Sequence, residues 1–149
     1  MRPVRGQMVA LQADGVLQHI VRCPEVYLIP RSGGRVVVGS TMEETGFNKT
    51  TSPEAIGKLR AAAASLVPAL SESPIAEVWS GLRPATPDGA PVLGETSLPG
   101  YFVAGGHYRD GILLAPATAR VMGGLICGQA LPVDLAGLSP KRFASVAMI

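Results

Sequence analysis

The first forty residues alternate between apolar and polar positions in short runs that are typical of β-strands. Four such segments, rich in Val, Ile and Leu and separated by turn residues, are VRGQMVALQ, VLQHIVR, VYLIPR and RVVVGST. The pair Asp14-Gly15 and the run Ser32-Gly33-Gly34 have the length of hairpin connections. The pattern predicts a meander of about four antiparallel strands with alternating burial.

The spacing of apolar residues becomes helical after Ser52. Ser52, Pro53 and Glu54 supply an N-cap, a proline in the first helical position and an acid in the first turn. The apolar positions that follow recur at helical intervals, at Ile56, Leu59, Ala63 and Leu66. Because proline cannot continue a helix, we predict that this helix ends before Pro68.

The second half of the chain alternates strand, turn and helix signals. Ile75, Glu77 and Trp79 alternate like a strand, and a stretch rich in Pro and Gly follows. YFVAGG predicts a further strand, ILLAPATARVMGGLICG a second helix, and LSPKRFA a surface or docking segment. These elements together predict an α+β fold, an antiparallel sheet with helices packed on it.

Composition restricts the classes of function. Of the 149 residues 47% are hydrophobic and 16% are charged, as in a globular domain, and the net charge of +2 predicts binding to neither nucleic acid nor a membrane surface. Cys23 and Cys127 lack metal-ligand spacing, and we expect buried, inert thiols and no metal site. The chain has neither a long apolar run nor an apolar signal peptide at its start, which predicts a cytoplasmic protein.

Four motifs in register resemble one enzyme family. VRGQ, YLIPR–GRVVVGST, WSGLRPATPDGAPVLG and GGHYRDGILLAPATA occur in the order and at the intervals seen in the C-terminal half of glycine oxidase, from about Pro3 to Phe143. Glycine oxidase is a member of the D-amino-acid oxidase superfamily. The resemblance implies FAD-dependent oxidation of glycine or a similar small amino acid to the imine, with hydrogen peroxide as the second product and a role in thiamine biosynthesis.

The same resemblance implies a division of the chain. Residues 1–100 match a substrate-binding sheet domain with one helix, and residues 101–149 match a strand and helix that return toward the FAD-binding domain. A GxGxxG dinucleotide fingerprint is absent, so we expect most of the FAD site to be missing and the chain by itself to be inactive. Association through the uncovered flavin-domain face, as a homo-oligomer, is a further expectation. Gly81 stands where a relative attaches its flavin through cysteine, which implies non-covalent FAD.

Arg83 is the first candidate for substrate binding. A planar guanidinium forms two parallel hydrogen bonds to a carboxylate and thereby fixes its direction. The alternative is a structural arginine paired with Asp88 or Glu77. The resemblance adds Tyr27, whose hydroxyl binds the substrate carboxylate, and Arg109, near substrate and flavin. Their alternatives are a core tyrosine and an arginine that caps a helix or pairs with its neighbour.

Two other groups of residues follow from the resemblance. Thr41 and Met42 match positions that line the substrate pocket, although methionine commonly serves as core packing. The segment expected to contact FAD comprises Gly106, His107, Arg109, Asp110, Gly111, Ile112 and Leu113. This segment leads into a helix N-terminus, where exposed N–H groups favour negative charge. The alternatives are a simple buried helix after a loop and a histidine that only packs or forms hydrogen bonds.

Two alternative functions stay open at this level. A dehydrogenase of the same fold would pass electrons to a carrier instead of oxygen. A non-catalytic module would bind small carboxylates or support assembly, and it would need no flavin.

Overall fold

A computed structural model describes the backbone of residues 1–146 and the side chains of residues 1–143. Two compact units divide the chain: Pro3–Leu82, and Met1–Arg2 together with Arg83–Ile149. The sequence predicts a boundary at residue 100, between a substrate domain and a flavin-facing segment. That boundary stays a prediction. The α+β fold class with antiparallel sheets is confirmed.

The first unit is built on a five-stranded sheet with the order β2-β3-β4-β1-β5. The pairs β2/β3, β3/β4 and β4/β1 are antiparallel. The strands are β1 (Arg2–Gln12), β2 (Val21–Arg22), β3 (Tyr27–Arg31), β4 (Arg35–Gly39) and β5 (Ile75–Ala85), of which β5 continues into the second unit.

The predicted meander is right for β2, β3 and β4 and wrong for β1. β1 pairs with β4 and neighbours β5, so the turn at Asp14-Gly15 does not join two paired strands. The strand predicted from VLQHIVR shrinks to Val21–Arg22, and Ile20 is exposed. β4 and β5 occupy the two edges of β1. The residues that follow β1 therefore cannot pair with it to form a longer strand.

The helix α1 (Pro53–Leu66) forms as predicted. Ser52 caps it, because its Oγ accepts a hydrogen bond from the Ala55 N–H at 3.2 Å. One face of the helix is buried against one face of the sheet, and this contact makes the core of the unit. The main helix and sheet residues of that core are Val9, Leu11, Leu28, Val36, Val38, Ile56, Leu59 and Ala63.

The second unit contains a two-stranded antiparallel sheet and one long helix. The strands are β6 (Val92–Glu95) and β7 (Phe102–Gly105), and the helix is α2 (Gly111–Ile126). Short 3₁₀ segments follow at Ala136–Leu138 and Pro140–Val146. The strand β6 was not predicted. It is only four residues long and follows Pro91 and several turn residues, and its partner β7 lies farther along the chain.

The expectation of two buried cysteines is wrong. Cys23 is half-buried, and its thiol donates a hydrogen bond to the Glu25 carboxylate at 3.2 Å. Cys127 is exposed, because it lies at the C-cap of α2, beyond the buried positions Val121 and Met122. Apolar neighbours in the sequence therefore did not predict the burial of Cys127, which lies at the end of a helix.

Candidate functional site

Tyr27 lies at the start of β3, directly opposite Gly39 of β4. A Cβ atom placed on Gly39 would lie 2.5 Å from both Cζ and Oη of Tyr27, so the ring covers the space that this glycine leaves open. The Tyr27 hydroxyl lies 3.9 Å from the Met8 sulfur, to which it donates a weak hydrogen bond. Tyr27 is half-buried, and its assignment to the substrate carboxylate stays a prediction.

Thr41 and Met42 follow the end of β4. The Thr41 hydroxyl accepts a hydrogen bond from the Gln7 backbone N–H at 2.9 Å. Met42 is 60% exposed, which excludes a role as core packing. Together with Tyr27, these residues form the part of the predicted substrate site that lies in the first unit.

A buried polar cluster anchors this segment, and it was not predicted. Arg5 pairs with Glu43, and its Nη1 donates to the Thr50 carbonyl oxygen at 2.8 Å. The fully buried amide of Gln7 donates to Glu43 Oε1 at 2.9 Å and accepts from the Ser52 N–H at 2.7 Å. The sequence does contain a signal for this cluster, because Arg5 and Gln7 are polar residues within the apolar strand β1. Polar side chains that are buried in a strand need hydrogen-bond partners.

The surroundings of Glu43 lower its pKa. Burial by itself raises the pKa, but hydrogen bonds from Thr41, Arg5 and Gln7 and the charge of Arg5 have the larger combined effect. The pKa of Glu43 therefore lies below its ordinary value of 4.5. A carboxyl whose pKa is lower in the folded state stabilises the fold above its unfolded-state pKa, and this contribution is lost as the pH falls through the lowered value.

We expect Glu43→Gln to lower the free energy of unfolding by about 1–2 kcal/mol at pH 7, because Gln keeps one acceptor but loses the charge. The same substitution should flatten the fall in stability that the wild type shows as the pH drops from the ordinary glutamate pKa of 4.5 to the lowered pKa of the folded state. Chemical denaturation from pH 7 to pH 3 measures both effects, with Glu72→Gln as an exposed control. Parallel stability curves for Glu43→Gln and the wild type would contradict this role.

Arg83 lies near the end of β5 and is half-buried. The two carboxylates considered as its structural partners pair elsewhere. Asp88 Oδ2 accepts from Arg142 Nε at 2.8 Å, and Glu77 Oε2 lies 3.5 Å from Arg35 Nη1. The assignment of Arg83 to the substrate carboxylate stays a prediction.

The loop after β7 is held in a conformation that few side chains allow. Gly106 has φ of +71°, and a Cβ atom there would lie 2.6 Å from Cγ2 of the buried Thr86. Tyr108 has φ of +51°, and its N–H donates to the Pro84 carbonyl oxygen at 3.0 Å. A non-glycine residue with positive φ is uncommon and is found preferentially at functional sites. The loop that carries the predicted flavin contacts is therefore fixed against the end of β5.

His107 and Asp110 have distinct places in this loop. The His107 Nε2 lies 2.9 Å from the Thr118 hydroxyl of α2, which fits the expected hydrogen-bonding role. Asp110 occupies the N-cap position of α2, and its side chain makes no capping hydrogen bond to the helix. Arg109 and Gly111 beside it are exposed.

The first turn of α2 is apolar and exposed. Ile112 is 96% exposed and Leu113 is 78% exposed, whereas the buried residues of the helix, Val121 and Met122, lie in its second half. The interpretation of this segment as a simple buried helix is therefore wrong. Its first turn combines backbone N–H groups with a large uncovered apolar surface.

Arg142 holds the turn after β5, a role that no sequence motif indicated. Two hydrogen bonds go to the Asp88 carboxylate, from Nε at 2.8 Å and from Nη2 at 3.2 Å. Nη2 also donates to the Ala90 carbonyl oxygen at 2.9 Å, and Nη1 donates to the carbonyl oxygens of Leu138 and Ser139 at 2.7 and 3.2 Å. These bonds hold the pKa of the Asp88 carboxyl far below its usual range.

Within residues 1–146, no group of three or more His, Cys, Asp or Glu side chains is arranged to hold a metal ion. Over the same residues, no helix has both the length and the hydropathy that a bilayer span requires.

Comparison with known proteins gives consistent matches over nearly the whole chain. The chain is 40% identical over 140 residues to glycine oxidase of Pseudomonas aeruginosa, a match that covers 93% of this chain and 38% of the relative. It is 40% identical over 147 residues to the bifunctional protein ThiO/ThiG of Synechocystis, covering 95% of this chain and 22% of that protein. The crystal structure of glycine oxidase from Geobacillus kaustophilus superposes with a TM-score of 0.87 at 38% identity, over 92% of this chain and 38% of that one.

The chain thus spans less than half of the length of these relatives. The matching family model is described as DAO, FAD dependent oxidoreductase, and it covers residues 1–125. Since the model matches most of the chain and the sheet, helix and loop architecture agrees with the solved glycine oxidase, the chain belongs to the DAO family of FAD-dependent oxidoreductases.

Proposed function

We propose that this chain supplies the substrate-binding sheet and a flavin-contacting segment of an enzyme that oxidises glycine or a similar small amino acid. The observation that carries the proposal is the first turn of α2. Ile112 and Leu113 are exposed there beside helix N–H groups, and the side chain of Asp110 does not cap them. An apolar surface next to aligned N–H donors suits the edge of a flavin ring that gains negative charge on reduction.

FAD fits these residues. The segment assigned to it runs through Gly106, His107, Arg109, Asp110, Gly111, Ile112 and Leu113. Gly106 is confined to glycine by Thr86 and by its positive φ, and the His107–Thr118 hydrogen bond ties the loop to the helix behind it. FAD held by these residues would supply an acceptor for a hydride from the substrate α-carbon. Loss of that hydride and of one N–H proton from the neutral amine would leave the imine, and reoxidation of the reduced flavin by oxygen would give hydrogen peroxide.

The chain itself binds and orients the substrate. Arg83 is assigned to the carboxylate through two parallel hydrogen bonds, and the Tyr27 hydroxyl provides a third. Arg109 is placed near both substrate and flavin, while Thr41 and Met42 line the pocket. Holding the carboxylate in one direction aligns the α-carbon for transfer, which is the main contribution a protein makes to such a reaction. An imine of this kind can supply thiazole formation in thiamine biosynthesis.

The proposal is tested with FAD-loaded protein that contains this chain. Anaerobic addition of glycine should bleach the flavin absorbance, and admission of oxygen should restore it with stoichiometric hydrogen peroxide. Flavin that is reduced by glycine but not reoxidised by oxygen would indicate a dehydrogenase. Flavin that no small amino acid reduces would contradict the proposal. The 149-residue chain alone is expected to retain FAD weakly, since it carries no GxGxxG segment.

The position of Tyr27 offers a test of its assigned role through Gly39, the residue directly opposite it on β4. Gly39→Ala places a methyl group 2.5 Å from Cζ and Oη of Tyr27, so the ring must rotate away. Because the far end of a side chain can move, the cost in unfolding free energy should be only roughly 1–2 kcal/mol. Affinity for glycolate, measured by calorimetry, should fall about tenfold, as expected for a lost hydrogen bond to a charged group.

A double-mutant cycle makes the test specific. Tyr27→Phe already removes the hydroxyl, so adding Gly39→Ala should weaken glycolate binding little further. Gly57→Ala is the control, since the space around this helical glycine is open within 4 Å and alanine favours helix. Additive losses in the double variant would indicate that Gly39 acts by another route.

A further inference from the structure

A second concave site lies in the first unit, on the sheet face opposite α1. Its volume is about 470 Å³, within the range of small-molecule sites. Buried Ala10, half-buried Val37 and half-buried Trp79 give it an apolar floor. The same strands direct Val9, Val36 and Val38 into the core beneath α1, so alternation presents this floor on the other face.

The rim of this site carries two arginines in an unfavourable arrangement. Arg31 and Arg35 are direct cross-strand partners at the end of the β3–β4 hairpin. Like charges placed directly opposite one another destabilise a sheet. The Arg35 contact with Glu77, at 3.5 Å between half-exposed side chains, is weak. Within residues 1–146, Arg31 donates no side-chain hydrogen bond and forms no ion pair.

The hairpin that presents these arginines is held in place from the neighbouring strand. Gln12 lies opposite Arg35, and its Nε2 donates to the Gly33 carbonyl oxygen at 2.8 Å and to Asp14 Oδ2 at 3.2 Å. The Ala13 N–H adds a bond of 2.7 Å to the Gly34 carbonyl oxygen. The turn between these two arginines, both of which line the site, is therefore held by hydrogen bonds from Gln12 and Ala13.

We propose that this site binds a small organic anion with a flat apolar body. Its carboxylate or phosphate would lie between Arg31 and Arg35, where it relieves their mutual repulsion and accepts paired hydrogen bonds. Its ring would lie on Trp79 and Val37. The inference concerns residues of the first unit alone and does not depend on the proposed function.

Trp79 provides a direct readout, because it is the only tryptophan in the chain. Its single indole N–H signal in a ¹H–¹⁵N spectrum of the full chain is followed while benzoate is added. Benzoate should shift this signal with saturation, and the neutral isostere benzamide should bind at least tenfold more weakly. Phenyl phosphate, compared with benzoate, shows whether the rim prefers phosphate or carboxylate. An indole signal that ignores benzoate, or that responds equally to benzamide, overturns the proposal.

Variants separate this site from the other candidate. Arg31→Gln and Arg35→Gln should each weaken benzoate binding about tenfold, while Arg22→Gln, an exposed arginine on β2, should leave it unchanged. Thermal unfolding should show no loss of stability in Arg31→Gln, since the substitution removes a like-charge pair. Benzoate binding seen at Trp79 should survive Arg83→Ala. The assignment is refuted if the Trp79 signal no longer responds to benzoate in Arg83→Ala. It is also refuted if the response persists in the double variant that combines Arg31→Gln with Arg35→Gln.

Discussion

Replacing Arg83 with alanine is expected to lower kcat/KM for glycine about a thousandfold in the FAD-loaded protein. Arg83 is half-buried near the end of β5, and it is the residue proposed to bind the substrate carboxylate. In the proposed role, its loss removes both the charge that attracts the substrate carboxylate and the paired hydrogen bonds that orient it. Steady-state peroxide production over a range of glycine concentrations measures the effect on kcat and KM separately.

Arg83→Lys distinguishes charge from orientation. A lysine ammonium restores attraction to a carboxylate but forms no planar pair of bonds, so we expect KM to recover more than kcat. Arg120→Ala, an exposed arginine on α2, is the control and should behave as wild type. Full activity of Arg83→Ala, or unchanged glycolate affinity in calorimetry, would remove Arg83 from the substrate site.

The largest effect on stability is expected from Arg142→Ala, with a fall in the unfolding temperature on the order of 5–10 °C. Arg142 makes hydrogen bonds through Nε, Nη1 and Nη2 to Asp88, Ala90, Leu138 and Ser139, and its side chain is only 14% exposed. Alanine leaves three carbonyl oxygens and one carboxylate without this donor. Differential scanning calorimetry with Arg120→Ala as the reference measures the change.

A second readout follows the turn that Arg142 holds. Ala90 accepts from both Arg142 and the Thr86 hydroxyl, and Thr86 packs against Gly106. We therefore expect Arg142→Ala to increase amide hydrogen exchange around residues 86–90 and 106–108. Arg142→Lys should rescue little, because a single ammonium cannot satisfy five bonds in fixed directions. An unfolding temperature equal to that of Arg120→Ala would show that the network contributes nothing measurable.

Local signals in the sequence were sufficient for the helices. The Ser52 cap, Pro53 and the spacing of Ile56, Leu59 and Ala63 define α1 without reference to any other part of the chain. α2 was located in the same way from its apolar run. Helix formation and capping depend on neighbours within four residues, so a single sequence contains the necessary information.

Pairing between strands was less predictable. Alternation in β1 showed that one face is buried, yet it could not show that β4 and β5 are its neighbours. The expected strand of residues 16–22 failed for that reason, and β6 was missed because its partner β7 follows only after a turn. Strand stability depends on partners that lie at a distance in sequence.

The motifs nominated Arg83, Tyr27, Arg109 and the loop before α2, and the family that they implied is the one to which the chain belongs. The contacts that hold these residues in place could not be predicted from the motifs, because each contact joins residues that are distant in the sequence. Tyr27 lies over Gly39 through strand register, Arg5 and Gln7 meet Glu43 beyond β4, and Arg142 reaches Asp88 across 54 positions. The sequence by itself determined the family and the local helices. Only the tertiary structure decided which side chains hold one another, because hydrogen bonds and packing form between atoms that folding, and not chain order, brings into contact.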